Sequence, residues 1–148
     1  MDERIKEHLK ILKRYYLLLL DAQKYEKTHF LEDAIICAST ERFLHLAIES
    51  CLNIGNRILS LYQFQFPVEM PQTYMDIFRQ MKKIGIIDDA FCENLIMMTK
   101  YRNRLVHLYW KLDNETTYNI LHDNINDFKF FEKAIVTFLK SNPLKDSY

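Results

Sequence analysis

The chain has 148 residues, 49% of them hydrophobic, with 20 Lys+Arg against 20 Asp+Glu, two glycines and three prolines. That length fits one domain over residues 1–148, and average usage would give roughly ten glycines, so a Gly-rich phosphate loop, a GxGxxG turn and a many-stranded sandwich or barrel are all excluded. An all-helical domain remains, and the zero net charge confines any nucleic-acid role to a local patch.

The first helix is expected from about Asp2 to Lys27. There Ile5, Leu9, Leu12, Tyr16 and Leu19 recur at spacings of 4, 3, 4 and 3 and draw one apolar stripe. Thr28 reads as the N-cap of a long second helix from about Phe30 to Tyr62. Cys37, Leu44, Ile48, Cys51, Gly55, Ile58 and Tyr62 sit there at helical spacing. Apolar periodicity continues past Gly55, so that glycine reads as a point of close helix approach. Pro67 and Pro71 bracket a connection, with Pro71 at the first position of a short helix, Gln72 to Lys83. Gly85 is its C-terminal punctuation.

Asp88 and Asp89 suit the N-terminal turn of a fourth helix running to about Trp110. The segment LDNET then breaks the pattern, and a last helix is expected from about Thr116 to Leu139. Residues from about 141 to 148 read as a frayed tail. Four to five helices with short links predict an up-and-down bundle. The longest apolar run, Tyr15 to Leu20, is far short of the roughly 20 residues that span a bilayer. The charged opening MDERIKEHLK lacks a signal-peptide core. A cytoplasmic chain without a membrane role is expected, with Cys37, Cys51 and Cys92 as buried thiols.

The fourth helix is the informative one. Phe91, Leu95, Met98, Arg102, Leu105 and Tyr109 form a heptad-like seam. Arg102 occupies a seam position that geometry assigns to an apolar residue. An unpaired buried guanidinium is costly, so Arg102 either meets a carboxylate or lines a cleft that holds an anion. From Asn94 to Leu112 there is no acid, while Lys100, Arg102, Arg104 and Lys111 add four positive charges among Tyr101, Tyr109 and Trp110. Such a segment can bind phosphate and stack bases. An ordinary polar network at a bundle interface is the alternative reading of the same residues.

The stretch RNRLVHLY, Arg102 to Tyr109, resembles the Arg-x4-His-x-Tyr motif of HepT-like toxins of the HEPN ribonuclease superfamily. The segments Glu41 to Ile58 and Pro71 to Asp88 resemble that family's long second helix and its short third helix with the following glycine turn. The resemblance implies a metal-independent endoribonuclease without a cofactor, the toxin of a type VII-like toxin–antitoxin system. By position, Arg102 and His107 match the catalytic pair, and Asn103 matches the polar residue that follows the arginine. Tyr109 matches the tyrosine that a partner nucleotidyltransferase antitoxin modifies with AMP. Arg104 is an extra base expected to support phosphate binding, with Lys100 and Lys111 beside the motif as further RNA contacts. The RNA supplies its own nucleophile, the 2′-OH, so no protein nucleophile is required.

Arg102 and His107 are about 140° apart around an ideal helix, and the motif offers one histidine where acid–base catalysis uses two proton-transfer groups. A twofold homodimer with the active site at its interface answers both points. His45 reads as structural, with a catalytic contribution as the open alternative. His8, His29 and His122 read as surface residues. Competing with the ribonuclease are a non-catalytic substrate-binding subunit of a two-component nucleotidyltransferase and a purely structural helical dimer.

Overall fold

The computed structural model describes residues 1–107 and 113–144. Among the described residues seven α-helices and no strands occur. They are α1 (Glu3–Ala22), α2 (Lys27–Glu32), α3 (Ala34–Tyr62), α4 (Tyr74–Lys83), α5 (Asp89–His107), α6 (Asn114–Asp123) and α7 (Asn126–Ser141). The all-α expectation holds. The count differs because two of the expected long helices are each interrupted once.

α1 begins where Asp2 caps it, its carboxylate accepting from the backbone N–H groups of Arg4 and Ile5 at 3.1 and 3.2 Å. Its stripe buries Ile5, Leu9, Leu12 and Leu19. The helix stops at Ala22 rather than Lys27, and the Gln23 side chain donates to the Leu121 carbonyl at 2.8 Å. Thr28 caps nothing; it lies inside α2. The break falls at Asp33, whose extended backbone and carboxylate cap α3 through Ile35 N–H and Ile36 N–H at 3.0 and 3.1 Å. Local capping chemistry overrides the continuous apolar pattern there.

α3 is the central element, touching each of the other six helices. Its close approach to α4 requires Gly55: a Cβ there would lie 2.6 Å from Ile77 Cγ2 and 2.9 Å from Met81 Sδ. α4 starts at Tyr74, not Gln72. Thr73, rather than Pro71, sets the start through a capping box with Asp76. Gly85 ends that segment with φ +86°, a left-handed conformation that costs glycine little. Asp88 then accepts from Phe91 N–H at 2.8 Å and opens α5. The expected end of α5 near Trp110 lies outside the described residues. Asp113, from the LDNET break, caps α6 through Glu115 N–H at 2.9 Å. The expected last helix is split at Asn124–Ile125 into α6 and α7.

All three cysteines are free and buried. No described helix is long and apolar enough to cross a membrane.

Candidate functional site

The rotation of α5 is set by its two neighbouring buried side chains. Tyr101 is fully buried and shares a 2.7 Å hydrogen bond with Thr117 of α6. Burial drives its phenol far above the usual tyrosine range. Arg102 follows it on the seam and enters the α3–α5 interface with only 9% of its side chain exposed.

There Arg102 meets a carboxylate. Its Nη2 donates to Glu49 Oε1 of α3 at 2.5 Å, and its Nη1 donates to Asn103 Oδ1 at 3.2 Å. Its Cζ stands 4.8 Å from the ring centre of Tyr74 at the start of α4, within cation–π range. The Nε atom is buried without a partner. Of five N–H donors on a guanidinium, two are engaged within the chain.

His45 joins the same cluster from α3, its Nε2 lying 4.0 Å from Glu49 Oε1. Burial is the main cause that holds its imidazole below the usual range; Arg102 and Arg42 add to this, and Glu49 opposes it. Glu49 Oε1 therefore faces both Arg102 and His45. Of the two sequence readings of Arg102, the carboxylate partner is met directly. A cleft adjoins it, lined by Glu49, Tyr74 and Asn103, which hold Arg102, and not by Arg102 itself.

That cleft, of about 790 Å³, lies between α3, the segment leading into α4, and α5. Glu49, Asn53, Asn56, Gln72, Tyr74 and Asn103 line it together with apolar neighbours. Lys100 and Arg104 are placed elsewhere. They are exposed, one turn apart, and line a second groove of about 480 Å³ with Glu93, Ile96 and Met97. His107 is exposed in the last described turn of α5. Tyr109 and Lys111 lie outside the described residues. Among the described residues, no three His, Cys, Asp or Glu side chains form a metal-ligand group.

Sequence reasoning missed Glu49 and Tyr74. Glu49 had a readable signal: His45, Glu49, Asn53 and Asn56, spaced 4, 4 and 3, draw a polar line along an otherwise apolar helix. Tyr74 had none, because its approach to Arg102 depends on how α4 is set against α3.

The chain matches the "Ribonuclease HepT-like" family model over residues 5–135. It is 25% identical over 124 residues to the mRNA nuclease HepT of Shewanella oneidensis, covering 84% of this chain and 86% of that protein. A tri-AMPylated Shewanella oneidensis HEPN toxin, solved in complex with its MNT antitoxin, superposes with a TM-score of 0.83 at 23% identity. The alignment covers 93% of this chain and 99% of that one. YutE of Bacillus subtilis, a cytosolic protein of unknown function, aligns with a TM-score of 0.80 at 21% identity, over 98% of this chain and 94% of its own. The two structural likenesses establish the shared fold, and the match across 5–135 establishes the lineage: the chain belongs to the HepT-like ribonuclease family.

Proposed function

We propose that the protein is the toxin of a type VII-like toxin–antitoxin pair, a metal-independent endoribonuclease that acts as a homodimer in the cytoplasm. The observation that carries this reading is the state of Arg102. A buried cation, held by Glu49, Asn103 and Tyr74 and retaining unengaged N–H donors, is more than a bundle interface requires.

In the reaction, the 2′-oxygen of a ribose attacks the adjacent phosphorus and the P–O5′ bond breaks. The 2′-OH proton leaves to a base, and the departing O5′ takes a proton from an acid. The products are a 2′,3′-cyclic phosphate and a 5′-OH end. His107, open to solvent, is one proton-transfer group. The second is supplied by the partner copy's motif across the twofold axis, which also answers the 140° or so between Arg102 and His107. Arg102 offsets the charge that builds on the phosphate oxygens. Arg104, Lys100 and Lys111 contribute positive potential along the RNA path.

Regulation follows from Tyr109, seven residues beyond Arg102 in sequence, a spacing that an ideal helix brings to nearly the same azimuth. Transfer of AMP to its hydroxyl by the partner nucleotidyltransferase adds bulk and negative charge near Arg102 and competes with substrate phosphate. The relative named an mRNA nuclease and the AMPylated toxin bound to its MNT antitoxin support this reading.

The test is RNA cleavage by the purified protein in EDTA, wild type against His107→Ala. The expected result is cleavage that leaves 2′,3′-cyclic phosphate ends and falls about 10²–10⁴-fold in the variant. A wild type that cuts no RNA, or a variant that cuts equally well, overturns the ribonuclease. Mass spectrometry after co-expression with the cognate nucleotidyltransferase tests the switch, which fails if Tyr109 gains no AMP.

A further inference from the structure

The cleft beside Arg102 has the wrong chemistry for phosphate. Among the described residues no lysine, arginine or histidine lines it, and one carboxylate, Glu49, does. Its polar groups are mainly the carboxamides of Asn53, Asn56, Gln72 and Asn103, and its aromatic is Tyr74. Carboxamides present a donor and an acceptor side by side and match base edges in pairs. A half-exposed tyrosine ring offers a stacking surface.

Arg102 orients part of this set. A guanidinium can only donate, so Asn103 must turn its Oδ1 toward Arg102 Nη1, as it does at 3.2 Å. That leaves the Asn103 NH₂ for the cleft. Glu49 gives Oε1 to Arg102 and keeps Oε2 as an acceptor. The arginine thus holds a donor and a charged acceptor in place at the edge of the cleft, with its own cation against the Tyr74 ring. A carboxylate only accepts, so it favours a base rich in N–H groups.

We propose that this cleft is a nucleobase subsite of the RNA substrate, selecting a base that carries an exocyclic amino group over uracil. The base stacks on Tyr74. Its amino group donates to Glu49 Oε2 or to a carboxamide oxygen, and a neighbouring ring acceptor takes an N–H from Asn103. The scissile phosphate then lies toward Arg102, and Arg102 couples base selection to chemistry. This inference rests on the ribonuclease reading for its substrate but not for its test.

The test is binding of fluorescein-labelled 2′-O-methyl tetranucleotides of A, C and U to the wild-type protein, followed by anisotropy. The methylated 2′-oxygen removes the nucleophile, so the measurement does not depend on cleavage. The expected result is that the A or the C oligomer binds about tenfold or more tightly than U, the scale of one good paired contact. Asn53→Ala combined with Gln72→Ala alters two exposed side chains outside the core. It should shrink that preference to about twofold while leaving U binding within about twofold. Tyr74→Ala should weaken all three oligomers by about tenfold, as loss of a stacking platform does. Equal affinity for the three oligomers, a preference for U, an Asn53→Ala/Gln72→Ala variant that weakens A, C and U in equal proportion, or a Tyr74→Ala variant that binds all three as wild type does would overturn the subsite. A protein that shows the preference yet cuts no RNA retains the subsite and loses only the ribonuclease.

Discussion

Truncating Glu49 to alanine is the most direct probe of the cluster around Arg102. The variant leaves the Arg102 cation, 9% exposed, with Asn103 as its remaining hydrogen-bond acceptor and Tyr74 as a π partner. Removing one partner of a fully buried pair costs about 3–5 kcal/mol, whereas exposed pairs contribute about 0–1 kcal/mol. Glu49 is 31% exposed, so water can enter where its carboxylate was and recover part of the loss. The expected destabilisation is about 2 kcal/mol, or a fall of about 4–8 °C in Tm at this chain length. Glu49→Gln keeps an acceptor and loses the charge, so its cost is about half as large. Glu49→Leu with Arg102→Met replaces the pair by apolar groups and recovers most of the stability, because no buried charge is left. Thermal unfolding of the two single variants and the double variant at pH 7, followed by circular dichroism, measures all three. A Glu49→Ala protein melting within 1 °C or so of wild type would exclude a desolvated Arg102–Glu49 pair. It would mean that Arg102 is already hydrated in solution.

Gly55→Ala sets about 1 kcal/mol of helix propensity against a contact of 2.6 Å with the branch methyl of Ile77. The Met81 sulfur can move aside, but Ile77 is buried and stiff. Overpacking of about 1–3 kcal/mol therefore wins, and the urea midpoint should fall; a raised midpoint would show that α4 slides freely. His45 gives a pH dependence. Its folded pKa is depressed, mainly by burial, so the folded state holds fewer protons than the unfolded one below about pH 6.5. Stability is retained above that value and declines as pH falls through the folded pKa. His45→Gln should flatten the change in Tm between pH 7 and pH 5, and an unchanged slope would place the titration elsewhere. Asp2→Asn keeps a good cap on α1 and loses the 2.8 Å ion pair with Arg57. The hydrogen bond from Arg57 is the main cause holding the Asp2 carboxyl below the usual range, so its stabilisation is present above about pH 4 and lost on further acidification. The variant should be less stable than wild type at pH 7, and the difference should close as acid protonates Asp2, as measured by urea unfolding.

Periodicity and the glycine positions were sufficient for the helical class, for most of the core, and for the special roles of Gly55 and Gly85. Both are local properties of the chain: a side chain's azimuth follows from its position on a helix, and a glycine's use follows from the backbone it permits. The motif residues were legible through the resemblance to HepT-like toxins, while the seam position of Arg102 by itself posed the choice between a carboxylate and an anion. The interruptions at Asp33 and Asn124 were less visible. There, short polar side chains compete with an apolar pattern that runs on through them, and the outcome depends on what each half-helix can bury. Glu49 and His45 stand on a polar line that the sequence of α3 displays, but their meeting with Arg102, and the arrival of Tyr74, were decided by tertiary structure. Glu49 lies 53 residues from Arg102 in sequence, and no spacing rule relates two helices that meet only when the core forms. The close approach permitted by Gly55 sets α4 against α3, and that contact brings Tyr74 to the guanidinium. The amino-acid sequence alone was enough to say which helix bears the motif; the packing of α3, α4 and α5 decided which side chains hold its arginine, because a buried cation takes its partners from whichever helices enclose it.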